Sequence, residues 1–178
     1  MRIGIDVSQL AYPNTGVANY LSSLLRAMLE DDKKNEYVLF FSSLRKEFPI
    51  SNFQVTINSP RVTIKSFKMP STLLSFIWND LHVMPIEWLI GPVDLFITSD
   101  WTEPPAKNAK KATIIYDLTI YKTPNETDKK IIETQKRKLR WVKKESDIVF
   151  TISQSSKKDI IEILGLPSSK IKVIYPGL

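Results

Sequence analysis

The sequence predicts an α/β domain of the Rossmann-like type, a three-layer α/β/α arrangement whose sheet is mostly parallel. Short apolar runs of strand length alternate along the chain with longer segments in which apolar residues recur at helical spacing. That alternation favours right-handed crossovers and a parallel sheet covered on both faces. The chain has 178 residues, of which 43% are hydrophobic and 25% charged, a composition typical of one soluble globular domain.

The elements of the first half follow from apolar patterning and from the residues that interrupt it. The apolar run from Arg2 to Val7 predicts a buried strand, and the breakers from Pro13 to Gly16 predict a loop behind it. A helix then follows, capped by Asn14 or Thr15. Further strands are predicted at 37–41, 53–57, 62–67 and 93–98, and a helical stretch interrupted at Pro85 is predicted over 73–90.

The second half continues the alternation. Serines begin the last helix, and Gly165 and Pro167 end it. The dipeptide Pro176-Gly177 is typical of a hinge. We therefore expect one domain at residues 1–175 and the start of an interdomain linker at 176–178. Strands are predicted at 112–116, 147–152 and 171–175, and helices at 128–145 and 153–164.

Composition excludes several classes of site. The chain has no cysteine and one histidine, His82, which excludes disulfides and thiolate chemistry and disfavours a transition-metal centre, so no metal is expected. Its five glycines are far apart, so neither the G-x-G-x-x-G fingerprint nor a Walker loop is present. The chain starts with a strand pattern and not with a secretory signal, and no apolar run reaches the ~20 residues of a membrane span. A cytoplasmic protein is therefore expected.

Candidate site residues are expected at the carboxyl ends of the strands, where parallel α/β folds bind ligands. These ends follow Val7, Thr98, Tyr116 and Ile152 in the sequence. The candidate catalytic residues are Tyr116 and Asp117. The candidate substrate- or phosphate-binding residues are Asn14, Thr15, Gly16, Asp100, Trp101, Ser153 and Ser156.

Each candidate has a structural alternative. The helix that begins near Gly16 can bind a phosphate through the free N–H groups of its first turn. Alternatively, the segment is a plain loop followed by a helix cap. Trp101 can offer its apolar ring face to a sugar, or cover the edge of the sheet. Asp117 can hold a sugar hydroxyl, or cap the next turn. Helix capping is favoured for Ser153, and Ser156 resembles the start of a capping box.

A basic helix is the remaining feature. Between Lys129 and Lys144, eight basic residues accompany one acid, in a chain whose formal net charge is +6. Seven of the eight lie opposite the apolar arc of the helix, with Lys138 as the exception. This face can attract an anionic membrane or phosphates, or can simply be solvated. Its candidate contact residues are Lys136, Arg137, Arg140 and Trp141.

Several segments, in their order along the chain, resemble glycosyltransferases of family 4. The turn from Thr15 to Tyr20 is similar to the family's "TGVGRY" turn, and Ile114 to Leu118 is similar to its "IHDL" segment. Ser146 to Ile160 resembles "ADxIixvSexSkxDI", and Lys170 to Gly177 resembles "KIxVIyNG". The resemblance covers nearly the whole chain. The other similar segments are 3–10 and 94–105.

The resemblance implies one half of a GT-B fold, in an enzyme of polysaccharide biosynthesis that transfers a sugar with retention. The donor would be a nucleotide-diphosphate sugar, the acceptor a glycan or a lipid-linked molecule, and no cofactor is expected. This half would hold the acceptor and face the donor phosphates near Gly16. Its implied partner is a missing C-terminal donor-binding domain, so we expect the chain alone to be inactive. The implied location is the cytoplasm, or the inner face of the membrane.

Two positions depart from the family pattern. The histidine that lines the family's reaction centre is Tyr116 here, and tyrosine is a poor base near neutral pH. The arginine before the tyrosine of the first helix is Asn19, which removes a phosphate contact. An alternative function is therefore a non-catalytic module of the same fold that docks a partner or a membrane. Nucleic-acid binding is not expected, because the basic residues lack an aromatic stacking platform.

Overall fold

Seven strands form a single sheet in the computed structural model, which describes residues 1–49, 59–99 and 101–177. The strands are β1 (Arg2–Asp6), β2 (Glu36–Ser42), β3 (Val62–Phe67), β4 (Leu95–Thr98), β5 (Lys110–Ile115), β6 (Ile148–Thr151) and β7 (Ile171–Val173). Their order across the sheet is β3-β2-β1-β4-β5-β6-β7, and every adjacent pair is parallel. The predicted fold class is confirmed. The strand predicted at 53–57 lies outside the described residues.

Six α-helical segments connect these strands within the described part of the chain. They are α1 (Gly16–Asp31), α2 (Ser71–Ser75), α3 (Glu87–Ile90), α4 (Thr119–Lys122), α5 (Lys129–Glu145) and α6 (Gln154–Asp159). A π turn extends α2 through Phe76–Asp80, and another extends α6 through Ile160–Leu164. None of the helices in the described ranges is both long and apolar enough to cross a membrane.

Side-chain alternation along the strands produces a core on each face of the sheet. On one face, α1 packs through residues such as Leu25 against Ile5 and Leu39. On the other face, α2 and α3 pack beside Phe96, and α5 and α6 pack around Val149. Because all strands are parallel, the loops that follow them meet at one edge of the sheet, the carboxyl edge.

The helix predicted over 73–90 is interrupted earlier than expected. The helical part ends with the π turn, and His82 and Met84 then take left-handed backbone conformations, with φ of 53° and 66°. Trp78 explains the interruption, because its buried indole needs a hydrogen-bond partner and donates to the Met84 carbonyl over 3.0 Å. The chain therefore folds back before it reaches Pro85.

Candidate functional site

Two adjoining hollows open at the carboxyl edge, where α1, β5 and α5 meet. Their volumes are about 340 Å³ and about 480 Å³. Val17, Tyr116 and Asp117 border both of them. The first hollow is completed by Trp101 and by residues of α4 and α5, and the second by residues of α1 and by the chain after β7. Polar residues of the first hollow are Thr119, Thr127, Gln135 and Lys138, and those of the second are Asn19, Tyr20 and Ser23.

The two candidate catalytic residues stand side by side between the hollows. The ring of Tyr116 packs edge-on against Tyr20, with centroids 5.5 Å apart and planes at 88°. Burial raises the pKa of Tyr20, whose hydroxyl donates to the Ile174 carbonyl over 3.0 Å. Asp117 is exposed and accepts a 2.9 Å hydrogen bond from the N–H of Thr119. Asp117 thus caps the next turn, as its structural alternative predicted, while still bordering both hollows.

The candidate phosphate-binding turn lies beside the second hollow. Thr15 caps α1, since its hydroxyl oxygen accepts from the N–H of Ala18 over 3.2 Å and its hydroxyl donates to the Tyr12 carbonyl over 3.0 Å. Asn14, with φ of 71°, shapes the turn. Gly16 borders the hollow, and nothing lies within 4 Å of the position a Cβ would take there. The first turn of α1 is therefore open to a ligand at Gly16.

The two candidate serines support Tyr116 from behind. Ser153 caps α6 by accepting from the N–H of Ser156 over 3.0 Å. Ser156 lies within α6 and is buried, and its hydroxyl donates to the Tyr116 carbonyl over 3.0 Å. The prediction of a capping box that starts at Ser156 is therefore wrong, because Ser153 is the N-cap and Ser156 lies inside the helix. These hydroxyls fix the backbone at the end of β5.

The loop after β4, which carries Trp101, is held on two sides. Asn79 lies in the π turn after α2, and its Nδ2 donates to the Trp101 carbonyl over 2.8 Å. The Asn79 Oδ1 accepts from the N–H of Glu103 over 3.0 Å. From α5, the Nζ of Lys138 donates to the Ser99 carbonyl over 3.3 Å. The backbone is thus fixed around Trp101, whose half-buried side chain borders the first hollow. Its neighbour, the candidate Asp100, lies outside the described residues.

A network of buried charges lies beneath this loop. The fully buried Glu103 accepts from the Thr98 hydroxyl over 2.6 Å and lies 3.0 Å from the ammonium of Lys111. Lys111 also contacts Glu145 at 3.0 Å, and Glu145 contacts His82 at 2.9 Å. Burial raises the pKa of Glu145, but the hydrogen bonds and charges of Lys111 and His82 together outweigh burial and leave that pKa below its usual value. The network links β5 and α5 to the loop that bears Trp101.

The candidate basic surface on α5 is exposed only in part. Lys136 and Arg140 are exposed. The ammonium of Lys136 lies 5.4 Å from the centre of the Tyr121 ring. Arg137 is half-buried and forms an ion pair with Asp80 across 3.1 Å.

Trp141 has a structural position within this surface. Its ring stacks on His82, with centroids 3.5 Å apart and planes at 6°. Its indole N–H donates to the Asn79 carbonyl over 2.8 Å. The cations of Arg140 and Lys144 lie about 5 Å from its ring centre. Trp141 therefore joins α5 to the π turn, and the exposed cations surround it.

Sequence patterning missed three residues that organise the site. Asn79 and Glu103 were not candidates. The partners of Asn79 are remote in sequence, and no local spacing marks Glu103, although its partners Thr98 and Lys111 lie close to it in the chain. The sequence did set Lys138 apart, since it is the one basic residue between Lys129 and Lys144 that falls on the apolar arc of α5. Its side chain is 2% exposed in the structure.

Comparison with known proteins assigns the chain to a family. The sequence matches the model of Glycosyltransferase Family 4 over residues 14–178. A sequence comparison with curated proteins gives no match. The structure is similar to the apo form of the lipopolysaccharide outer core galactosyltransferase WaaB, with a TM-score of 0.56 and 16% identity over 98% of this chain and 45% of that one. It is also similar to UDP-GlcNAc 2-epimerase from Neisseria meningitidis bound to UDP-GlcNAc, with a TM-score of 0.52 and 10% identity over 97% and 46% of the two chains.

The chain spans a little under half the length of each of these two proteins. At such low identity, the likeness shows a shared fold alone. The family match covers most of the chain and confirms the resemblance predicted from its motifs. The chain has the fold of an N-terminal GT-B domain and belongs to glycosyltransferase family 4.

Proposed function

We propose that this chain is the acceptor-side half of a retaining glycosyltransferase, which transfers a sugar from a nucleotide-diphosphate sugar to a glycan or a lipid-linked acceptor. The observation that carries the proposal is the meeting of two hollows at Tyr116 and Asp117, on the carboxyl edge of a parallel sheet. Group transfer requires two substrates held side by side. Adjoining hollows with a shared border provide a position for each.

The first hollow suits a sugar acceptor. Trp101 offers an apolar ring to the C–H face of a sugar, and its loop is fixed by hydrogen bonds before any ligand binds. Thr119, Thr127 and Gln135 line the same hollow with groups that both donate and accept hydrogen bonds, as sugar hydroxyls require. The reacting hydroxyl would then lie near Asp117.

The second hollow suits the donor phosphates. The open first turn of the 16-residue helix α1 at Gly16 presents backbone N–H groups and the positive end of the helix dipole. Pro176 and Gly177 border the same hollow, so a domain that follows them would close over it. That second domain would supply most of the donor contacts. The chain alone is then inactive, because half a cleft cannot orient both substrates.

Tyr116 takes the position of the family's histidine. A tyrosine is a weak base near neutral pH, so its role in the proposal is to form the wall between acceptor and donor. Replacing Tyr116 with histidine in the full-length protein tests this role. An unchanged or higher kcat supports a wall, whereas loss of activity with the fold intact shows that tyrosine itself is required.

The main experiment is a transfer assay on the full-length protein with a panel of nucleotide-diphosphate sugars and soluble acceptors, beside the 178-residue chain alone. Product from the full-length protein, and none from the chain, is the expected result.

Trp101→Ala should raise the acceptor KM while donor hydrolysis in water continues, and Trp101→Phe should retain most of the acceptor affinity. If no donor in the panel is turned over or hydrolysed by folded full-length protein, the proposal is wrong.

A further inference from the structure

We propose that His82 is a proton-dependent latch. As an imidazolium, its ring holds the π turn after α2 against α5, and the π turn in turn holds the loop that carries Trp101. The latch itself does not depend on sugar transfer, whereas its effect on an acceptor rests on the proposed function of the first hollow. His82 is the single histidine of the chain, so any histidine signal from this protein belongs to it.

Both ring nitrogens of His82 face hydrogen-bond acceptors. Nδ1 lies 2.8 Å from the carbonyl oxygen of Trp78, and Nε2 lies 2.9 Å from a carboxylate oxygen of Glu145. Glu145 is ionised near neutral pH, since its pKa lies below the usual value. A neutral imidazole has one N–H donor and one acceptor nitrogen, whereas an imidazolium has two donors. Only the imidazolium therefore donates both hydrogen bonds.

The position of the ring suits a cation. The His82 side chain is 8% exposed, and its ring stacks on the indole of Trp141 with centroids 3.5 Å apart and planes at 6°. The face of an indole attracts a positive charge. The backbone of His82 is left-handed, with φ of 53°, which costs free energy for a residue with a side chain. The two ring hydrogen bonds help to stabilise that conformation.

Four charged groups in contact form an alternating series beneath the Trp101 loop. Glu145 lies 2.9 Å from His82 and 3.0 Å from Lys111, and Lys111 lies 3.0 Å from Glu103. With a protonated His82, the two carboxylates face two cations. With a neutral His82, the same two carboxylates share Lys111 alone, which is unfavourable in a largely buried network. The charges of this series therefore balance when His82 carries its proton.

Two further cations near the ring oppose its charge only weakly. Arg140 and Lys144 of α5 lie about 5 Å from the centre of the stacked indole. Both are exposed, and solvent screens exposed charges. In the π turn, Asp80 is paired with Arg137 across 3.1 Å. Glu145 contacts the ring directly, so its attraction is the stronger effect.

Three successive contacts connect the ring to the loop after β4. His82 stacks on Trp141, whose indole N–H donates to the Asn79 carbonyl over 2.8 Å. The Asn79 side chain then donates to the Trp101 carbonyl over 2.8 Å. Trp78, which accepts from the ring, is the neighbour of Asn79 in the π turn. Loss of a ring hydrogen bond therefore acts on the backbone that holds the loop.

Raising the pH should open the latch. Histidine is the side chain whose charge ordinarily changes between about pH 5 and pH 8. A neutral ring keeps one of its two hydrogen bonds, and its other nitrogen then directs a lone pair at the Trp78 carbonyl or at Glu145. The π turn is then held less firmly, and so is the loop that carries Trp101. The latch is therefore closed at the lower pH and open at the higher pH.

Nuclear magnetic resonance of the His82 ring tests the charge directly in the 178-residue chain. The two ring nitrogens have similar chemical shifts in an imidazolium and widely separated ones in a neutral ring. The imidazolium pattern is expected at about pH 5.5 and the neutral pattern at about pH 8.5. The indole N–H of Trp141 and the backbone N–H of Glu103 should shift over the same pH range, because Asn79 accepts both of those hydrogen bonds.

Two substitutions separate the charge of His82 from its stacking. His82→Arg keeps a planar cation with several N–H donors, and His82→Phe keeps a flat ring without donors. At about pH 8.5, the Trp141 indole N–H should exchange with solvent about two- to tenfold faster in the parent and in His82→Phe than in His82→Arg, the range that one hydrogen bond supports. The indole N–H of Trp88, which is 71% exposed, is the control and should exchange equally in all three proteins.

Acceptor binding is measured in the full-length protein. The acceptor KM of the parent should rise by about two- to tenfold between about pH 5.5 and about pH 8.5. In His82→Arg the acceptor KM should stay nearly constant over that range. Thermal unfolding of both variants checks that the fold is intact, and the measurements on the parent ring require no variant.

The latch is overturned by a neutral ring at about pH 5.5, or by a ring that titrates while the Trp141 and Glu103 resonances stay in place. Equal exchange of the Trp141 indole in the arginine and phenylalanine variants also overturns it. An active full-length protein whose acceptor KM is independent of pH overturns the effect on the acceptor. An inactive one counts against the proposed function alone, since the ring measurements require neither donor nor acceptor.

Discussion

The side-chain amide of Asn79 donates a 2.8 Å hydrogen bond to the carbonyl oxygen of Trp101. The same amide accepts from the N–H of Glu103 over 3.0 Å, and the Asn79 side chain is fully buried. One side chain thus satisfies two backbone groups of the loop that borders the first hollow. The backbone that carries Trp101 is therefore held by a residue from the π turn after α2, outside the loop itself.

Replacing Asn79 with alanine should destabilise the domain by roughly 2–5 kcal/mol, because two buried backbone groups lose their partner. Urea unfolding followed by circular dichroism measures the change. Asn125→Ala, at an exposed position, is the control and should shift stability by less than about 0.5 kcal/mol. Equal stability of the Asn79 variant and the parent protein would show that water replaces the amide.

Gly4 is required by close packing within the sheet. A Cβ at this position would lie 2.7 Å from Cδ2 of Phe96 and 2.9 Å from Cδ1 of Ile90. Gly4→Ala should therefore lower the free energy of unfolding by roughly 1–3 kcal/mol. Gly16→Ala meets nothing within 4 Å and should be neutral or stabilising by up to about 1 kcal/mol. A Gly4 variant as stable as the parent would mean that Phe96 and Ile90 move aside freely.

Glu145 should contribute to the loss of stability in acid. Its pKa is below the usual value in the folded protein, because Lys111 and His82 outweigh the effect of burial. The unfolded chain therefore takes up the proton first, and the contribution is present above about pH 4.3 and is lost as the pH falls below it. Glu145→Gln should be less stable than the parent near pH 7, and the difference should shrink towards pH 3. Glu162→Gln, at an exposed position, is the control.

The cap of α1 should be worth about 1 kcal/mol. Thr15→Ala removes the acceptor for the N–H of Ala18 and should cost roughly 0.5–2 kcal/mol. Thr15→Ser keeps the hydroxyl and should stay close to the parent protein. Thermal unfolding of the three proteins distinguishes the cap from the methyl group, since loss of stability in the serine variant would assign the effect to packing.

Local sequence patterns predicted the strands, most of the helices and the edge at which the hollows open. Strand and helix periodicities are properties of neighbouring residues, and a parallel sheet places the residues that follow each strand at one edge. Tyr116 and Asp117 are adjacent to β5 for that reason. The same periodicity set Lys138 apart from the other cations of α5, and its side chain is buried.

The tertiary structure alone decided the contacts between residues that are remote in sequence. Asn79 meets Trp101 across 22 positions, and Trp141 meets the Asn79 carbonyl across 62. Trp141, predicted as part of an open basic surface, is joined to His82. Leu81 and Trp88 belong to the apolar helical stretch predicted over 73–90, and both are exposed. The physical reason is that local spacing specifies which side of an element is apolar, whereas the packing of one layer against another decides which of those side chains are covered.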